Sequence, residues 1–150
     1  MDSRAPDSLS KRRLKMWIRL LGVTRGAERH LREYLRVEHS TTLPRFDVMA
    51  ALWRRRDGLT MSELGRLLLV SGGNVTVIVD GLEKEGLVVR THSSADRRTV
   101  EVSLTERGLV EFERIAIGHE VEIDRLFSQL TEADLETLTG IFKRLGKDAP

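Results

Sequence analysis

The chain has 150 residues, of which 40% are hydrophobic and 32% charged, enough apolar content for one hydrophobic core and too much for a disordered chain. It contains no cysteine, which excludes disulfides, thiolate nucleophiles, thiol redox sensing and cysteine-ligated zinc. The formal net charge of +2 conceals an asymmetry: residues 1–42 carry +5, residues 43–104 carry +1 and residues 105–150 carry −4, so a basic first part is balanced by an acidic tail.

From about Ser8 to Glu38, the apolar positions Leu14, Trp17, Ile18, Leu21, Leu31, Tyr34 and Leu35 follow helical spacing. A helix of that extent is about 45 Å long. It cannot bury its stripe within so small a domain, so it requires a partner. Pro44 fits the first turn of a second helix running to about Arg55, with Phe46, Met49, Ala50 and Trp53 as its expected buried face. Asp57-Gly58 signals a turn, and Thr60-Met61-Ser62-Glu63 reads as a capping box opening a short helix through Leu69. Ser71 is the expected cap of the next helix, which ends near Gly86. Two short, tightly connected helices preceded by a third make a helix-turn-helix pattern.

After Gly86 the period changes to two, with Leu87 and Val89, then Val100, Val102 and Leu104, as expected inward positions. Between them, Ser93-Ser94-Ala95-Asp96-Arg97-Arg98 forms the charged tip of a β-hairpin, a wing. Thr105 caps another long helix to about Leu130, and Thr131 opens a last one through Leu145, stopped by Gly146. The expected fold is mainly α with a small β-hairpin wing (α+β). It is a winged helix-turn-helix with long terminal helices, in which residues 8–42 and 105–147 form a helical region and residues 43–104 form the winged lobe. No apolar run approaches the roughly 20 residues of a membrane span. The polar start Met1 to Pro6 has no signal-type apolar segment, so a cytoplasmic protein is expected.

A helix-turn-helix with a wing binds duplex DNA by placing its second helix in the major groove. The start of that helix presents Ser71, Gly72, Gly73, Asn74, Thr76 and Val77. The glycines permit close backbone approach, Asn74 is suited to adenine, and the methyls of Thr76 or Val77 to thymine. Ser71-Gly72-Gly73-Asn74 equally reads as a capped, glycine-rich turn. From Ser71 through Glu83 there is no Lys or Arg, and Asp80 is acidic. Attraction to phosphate therefore falls to Arg66 on the preceding helix (with Ser62 near its start), Arg90 and His92 on a wing strand, and Arg97 and Arg98 at the tip. Asp96 alternatively pairs with a neighbouring arginine to shape the turn.

Taken in order, Leu43 to Leu52, Leu59 to Leu64, Leu69 to Thr76, Val79 to Leu87 and Asp96 to Thr105 resemble the MarR family of winged-helix transcription regulators, and the flanking helices match in place and length. The resemblance implies a homodimer in which the first and last helices interdigitate, binding a near-palindromic double-stranded operator. It further implies a repressor released by a small anionic or aromatic effector. Many relatives have a basic residue within the stretch Val77 to Gly81, and its absence here shifts weight to the helix start and the wing. Candidate effector residues are Arg25, Arg29, His30, Tyr34, Phe46, Trp53 and Phe112. Arg25, Arg29, Arg32 and Arg36 stack on one helix face, suited to an anion or simply a solvated stripe, and the aromatics are equally core residues. The scattered histidines lack metal-ligand spacing, so neither metal nor cofactor is expected. No nucleophile elbow frames Ser71, His92 and Asp96, so no enzyme is expected. A winged-helix module used for protein contact without specific DNA binding is the alternative.

Overall fold

The computed structural model describes residues 8–68 and 74–146. Its order is α1 (Leu9–His39), α2 (Leu43–Arg54), β1 (Leu59–Thr60), α3 (Met61–Leu67), α4 (Val75–Lys84), β2 (Val88–His92), β3 (Val100–Leu104), α5 (Glu106–Leu126) and α6 (Glu132–Leu145). Each helix starts where a short polar side chain meets the otherwise unpaired N–H groups of the first turn. Ser8, Thr42, Thr60, Asn74, Thr105 and Thr131 accept from Lys11, Arg45, Glu63, Val77, Gly108 and Asp134. At Thr60 the cap is reciprocal, since the Glu63 carboxylate accepts from the Thr60 N–H at 2.8 Å.

The core gathers around α2, which contacts α1, α3, α4, α5 and β3. Enclosure on several sides explains why its buried set is Leu43, Phe46, Val48, Met49, Ala51 and Leu52, wider than the single stripe expected. Ala50 is only half-buried, packed against the core, and Trp53 is exposed; with Phe46 these two line a groove described below. Leu64, Val79, Leu82 and Val102 complete the fully buried centre, each contributing about 1.5–3 kcal/mol of burial free energy.

The sheet has three antiparallel strands in the order β1-β3-β2, one more than the expected hairpin. The added strand, β1, pairs Leu59 with Val102 and Thr60 with Glu101, too short to carry an alternating pattern of its own. The inward position of β2 is Val88, opposite Leu104, and Val89 faces outward. Leu87 is buried, but in the turn before the strand. The expected Leu87/Val89 pair therefore shifts by one, because the chain leaves Gly86 with φ +74° and enters the strand a residue late. Thr105 fastens α5 to this turn by donating from its hydroxyl to Gly86 O at 2.6 Å and from its N–H to Leu87 O at 3.1 Å. The approach is so close that a Cβ on Gly108 would lie 1.9 Å from Leu87 O.

Two segments lie largely outside this core. In α1 only Leu31 and Leu35 are buried, and every residue from 9 to 19 is exposed. Helix α6 buries no residue. No helix among the described residues is long and apolar enough to cross a membrane.

Candidate nucleic-acid interface and an adjoining groove

Helix α4 is held by one face. Val79 and Leu82 are fully buried, Val75 and Ile78 pack beside them, and Thr76 and Val77 point away, Val77 being 66% exposed. The helix starts at Val75 with Asn74 as its cap, three residues later than the Ser71 cap expected. Two consecutive glycines make a poor first turn, and the Asn74 carboxamide is well placed to close it. Asn74 Oδ1 accepts from the Val77 N–H at 3.3 Å, so that oxygen is engaged in the helix cap and Nδ2 is the atom left for an adenine contact. Ser71, Gly72 and Gly73 lie outside the described residues, as does Leu69, the expected end of the preceding helix. Ser62 and Arg66 are exposed on α3.

The wing is braced through backbone and short side chains. Ser93 donates to Thr99 O at 2.8 Å and Thr99 to Asp96 O at 3.0 Å. The Asp96 carboxylate accepts from the Arg98 N–H at 2.9 Å, an Asx turn. Its partner is thus backbone rather than the arginine side chain considered from sequence. His92 Nδ1 donates to Arg97 O at 2.8 Å, tying the strand to the tip. With the turn shaped this way, the guanidinium groups of Arg97 and Arg98 are exposed, with no partner among the described residues.

Arg90 has a different place. Its guanidinium donates to Asp80 at 2.5 Å and to Glu83 at 2.9 Å, and its N–H donates to Glu83 at 3.1 Å. Its side chain is one-quarter exposed. Rather than offering a free charge to phosphate, Arg90 neutralises the two carboxylates of α4 and clamps that helix to β2. Sequence spacing placed Arg90 on a wing strand but not its partners, since Arg90 sits ten residues from Asp80 and the hairpin fold brings them together.

The residues singled out for an effector separate into two groups. Phe46, Trp53 and Phe112 come together between α2 and α5. The Phe46 ring lies 5.4 Å from Phe112 and 4.3 Å from His119, both nearly parallel, with Trp53 5.8 Å from Phe112. They border a groove of about 530 Å³ that Ala50, Arg54, Glu113, Ala116 and Glu120 also line. A second cavity of about 510 Å³ shares Phe46, Ala50, Arg54 and His119 and extends to Glu28 and Asp47. The other group stays on α1. Arg25 and Arg29 are exposed, and neither lines these cavities. His30 Nε2 lies 2.6 Å from the buried Glu122 carboxylate, which also accepts from Arg125 at 2.9 Å. Tyr34 Oη lies 3.1 Å from His39 Nε2 and fills the notch at Gly118, where a Cβ would overlap it. His30 and Tyr34 thus join α1 to α5. Sequence reasoning leaves His119 facing either a pocket or the dimer seam, and the structure puts it in the groove. The signal was present in matched stripes, Phe46/Ala50/Trp53 and Phe112/Ala116/His119, each at i, i+4 and i+7.

Burial lowers the pKa of His119 below its ordinary 6.5. The neutral ring is favoured in the fold, so on acidification the unfolded chain takes up the proton first. The stability this group contributes is complete above about pH 6.5 and is lost as the pH falls through the lower folded-state pKa. His119→Phe keeps the stacking and removes the titration. Its melting temperature is expected to drop less than the wild type's between about pH 7 and pH 5.5; equal drops would show that the ring titrates unperturbed.

Residues 39–99 match the model of the MarR family. The HTH-type transcriptional regulator MhqR of Bacillus subtilis (strain 168) is 30% identical over 94% of this chain and 96% of its own. A MarR family transcriptional regulator from Silicibacter pomeroyi superposes with a TM-score of 0.77 at 26% identity, over 94% of this chain and 97% of that one. A mutant MarR from E. coli complexed with operator DNA superposes with a TM-score of 0.73 at 26% identity, over 93% and 99%. The winged-helix architecture, the nearly full-length likeness to MhqR and the family match together place the chain in the MarR family: it is a DNA-binding transcriptional regulator and not an enzyme.

Proposed function

We propose that the protein is a homodimeric repressor that binds a near-palindromic duplex operator and releases it when a small aromatic ligand enters the groove between α2 and α5. The observation that carries the DNA contact is the pairing of a recognition helix anchored by one face with a braced wing whose Arg97 and Arg98 are unpaired among the described residues. In this reading Thr76 and Val77, with Ser71, Gly72, Gly73 and Asn74 Nδ2, meet base edges. Ser62 and Arg66 approach the backbone, Arg97 and Arg98 reach phosphate or the minor groove, and Asp96 and His92 hold the wing in shape. Residues 43–104 form the DNA-binding lobe, and residues 8–42 with 105–147 form the dimerisation region. The exposed apolar side chains of α1 and α6 support the dimer, because an apolar surface of this extent is normally covered.

The test is binding to the duplex upstream of the protein's own gene at two salt concentrations. A steep loss of affinity with salt, and a preference over a scrambled duplex, are expected. Arg97→Ala and Arg98→Ala should each reduce the salt slope by about one. Salt-insensitive binding without sequence preference would instead favour a winged-helix module for protein contact.

A further inference from the structure

The groove between α2 and α5 has a charge that the sequence-based expectation of an anionic effector did not foresee. Its walls are aromatic, from Phe46, Trp53 and Phe112, and its border carries Glu113 and Glu120, while Glu28 and Asp47 line the adjoining cavity that shares Phe46, Ala50, Arg54 and His119 with it. Against these four carboxylates stand two guanidinium groups. Arg55 faces Asp57 at 3.8 Å, and Arg54, with Arg32, acts electrostatically on Asp47, so Glu28, Glu113 and Glu120 have no salt-bridge partner among the described residues. His119 adds no charge near neutral pH, since burial favours its neutral form. The arginines that would receive an anion, Arg25 and Arg29, do not line either cavity.

Two further observations point to the same occupant. Asp47 is half-buried and accepts no hydrogen bond among the described residues. Its pKa is raised by burial first and by the charge of Glu28 second, with Arg32 and Arg54 opposing. Such a carboxylate gains most from a cation brought beside it in a partly desolvated site. The Arg56 guanidinium, which lines neither cavity, lies 5.3 Å from the centroid of the Trp53 ring, a contact in which the indole is the π partner of a cation.

Resting on the proposal that the groove is the effector site, we propose that it takes a planar aromatic ligand bearing a cationic amine, its ring against Phe46, Trp53 and Phe112 and its ammonium toward the carboxylates. Aromatic stacking supplies most of the burial, and the charge supplies selectivity against the isosteric acid.

The experiment compares two probes of equal shape, tryptamine and indole-3-propionate, by titration calorimetry against the full chain at neutral pH. Tryptamine is expected to bind at least about tenfold more tightly, equivalent to about 1.4 kcal/mol. Asp47→Asn and Glu120→Gln should each narrow that preference, and Trp53→Ala should weaken both probes. Glu120 is exposed on α5, so its variant remains informative should Asp47→Asn not fold. Equal or tighter binding of the acid, with both probes weakened by Trp53→Ala, would overturn the cationic specificity and leave the groove as the effector site. Binding of neither probe, or binding insensitive to Trp53→Ala, would overturn the groove reading together with this one.

Discussion

Arg90→Ala is expected to weaken operator binding by roughly ten- to a hundredfold, about 1.4–2.8 kcal/mol, although Arg90 has no charge to spare for DNA. The recognition helix bears no basic residue between Val75 and Glu83 and carries Asp80 and Glu83. Both carboxylates are now held by the Arg90 guanidinium at 2.5 and 2.9 Å. Removing it leaves two negative charges on the element proposed to approach the DNA polyanion, and it uncouples α4 from β2. The separating measurement is a double-mutant cycle. If Arg90 acts through its carboxylates, adding Arg90→Ala to an Asp80→Asn, Glu83→Gln chain should cost little further affinity. An equal loss in both backgrounds would mean that Arg90 contacts phosphate directly. Because Arg90 is mostly covered and its partners are more than a third exposed, the effect on folding stability should be modest.

The second large effect is expected from the combined variant Ile18→Glu, Phe142→Glu. These side chains are 59% and 51% exposed, close to Leu14, Trp17, Leu135 and Leu145, which are exposed to similar extents. Among the described residues of one protomer nothing covers them, so the winged-helix core should survive the substitutions. In the proposed dimer they are covered, and a charge there carries the cost of an unpaired buried ion. The variant should run as a monomer by light scattering while its winged lobe stays folded. Operator affinity should fall at least about a hundredfold, because two linked half-sites gain roughly that much over one. A variant that stays dimeric with unchanged affinity would remove α1 and α6 from the interface. Loss of all helical signal would instead show that the protomer does not fold alone, as in obligate dimers, and would still assign these helices to assembly.

Much of the fold was legible locally. Caps at Thr60, Thr105 and Thr131, Pro44 in a first turn, and the shift from helical spacing to alternation after Gly86 depend on hydrogen bonds and torsions spanning only a few residues, which a linear sequence displays directly. The exposed wing arginines and the unburied stripes of α1 were legible for the same reason, as was the absence of any cysteine chemistry. What tertiary structure alone decided are relations between residues distant in the chain. Asn74 rather than Ser71 caps the recognition helix, because the choice among several competent caps depends on where the helix must lie to bury Val79 and Leu82. Strand β1 exists because β3 offers it an edge, and its two residues carry no pattern. The apolar face of α2 could not be assigned to one side, since the helix is enclosed on several and its aromatic stripe opens to a groove. Arg90 appeared cationic and available until the hairpin set it against Asp80 and Glu83. Its charge belongs to the sequence, but the partner that consumes that charge is chosen by the fold.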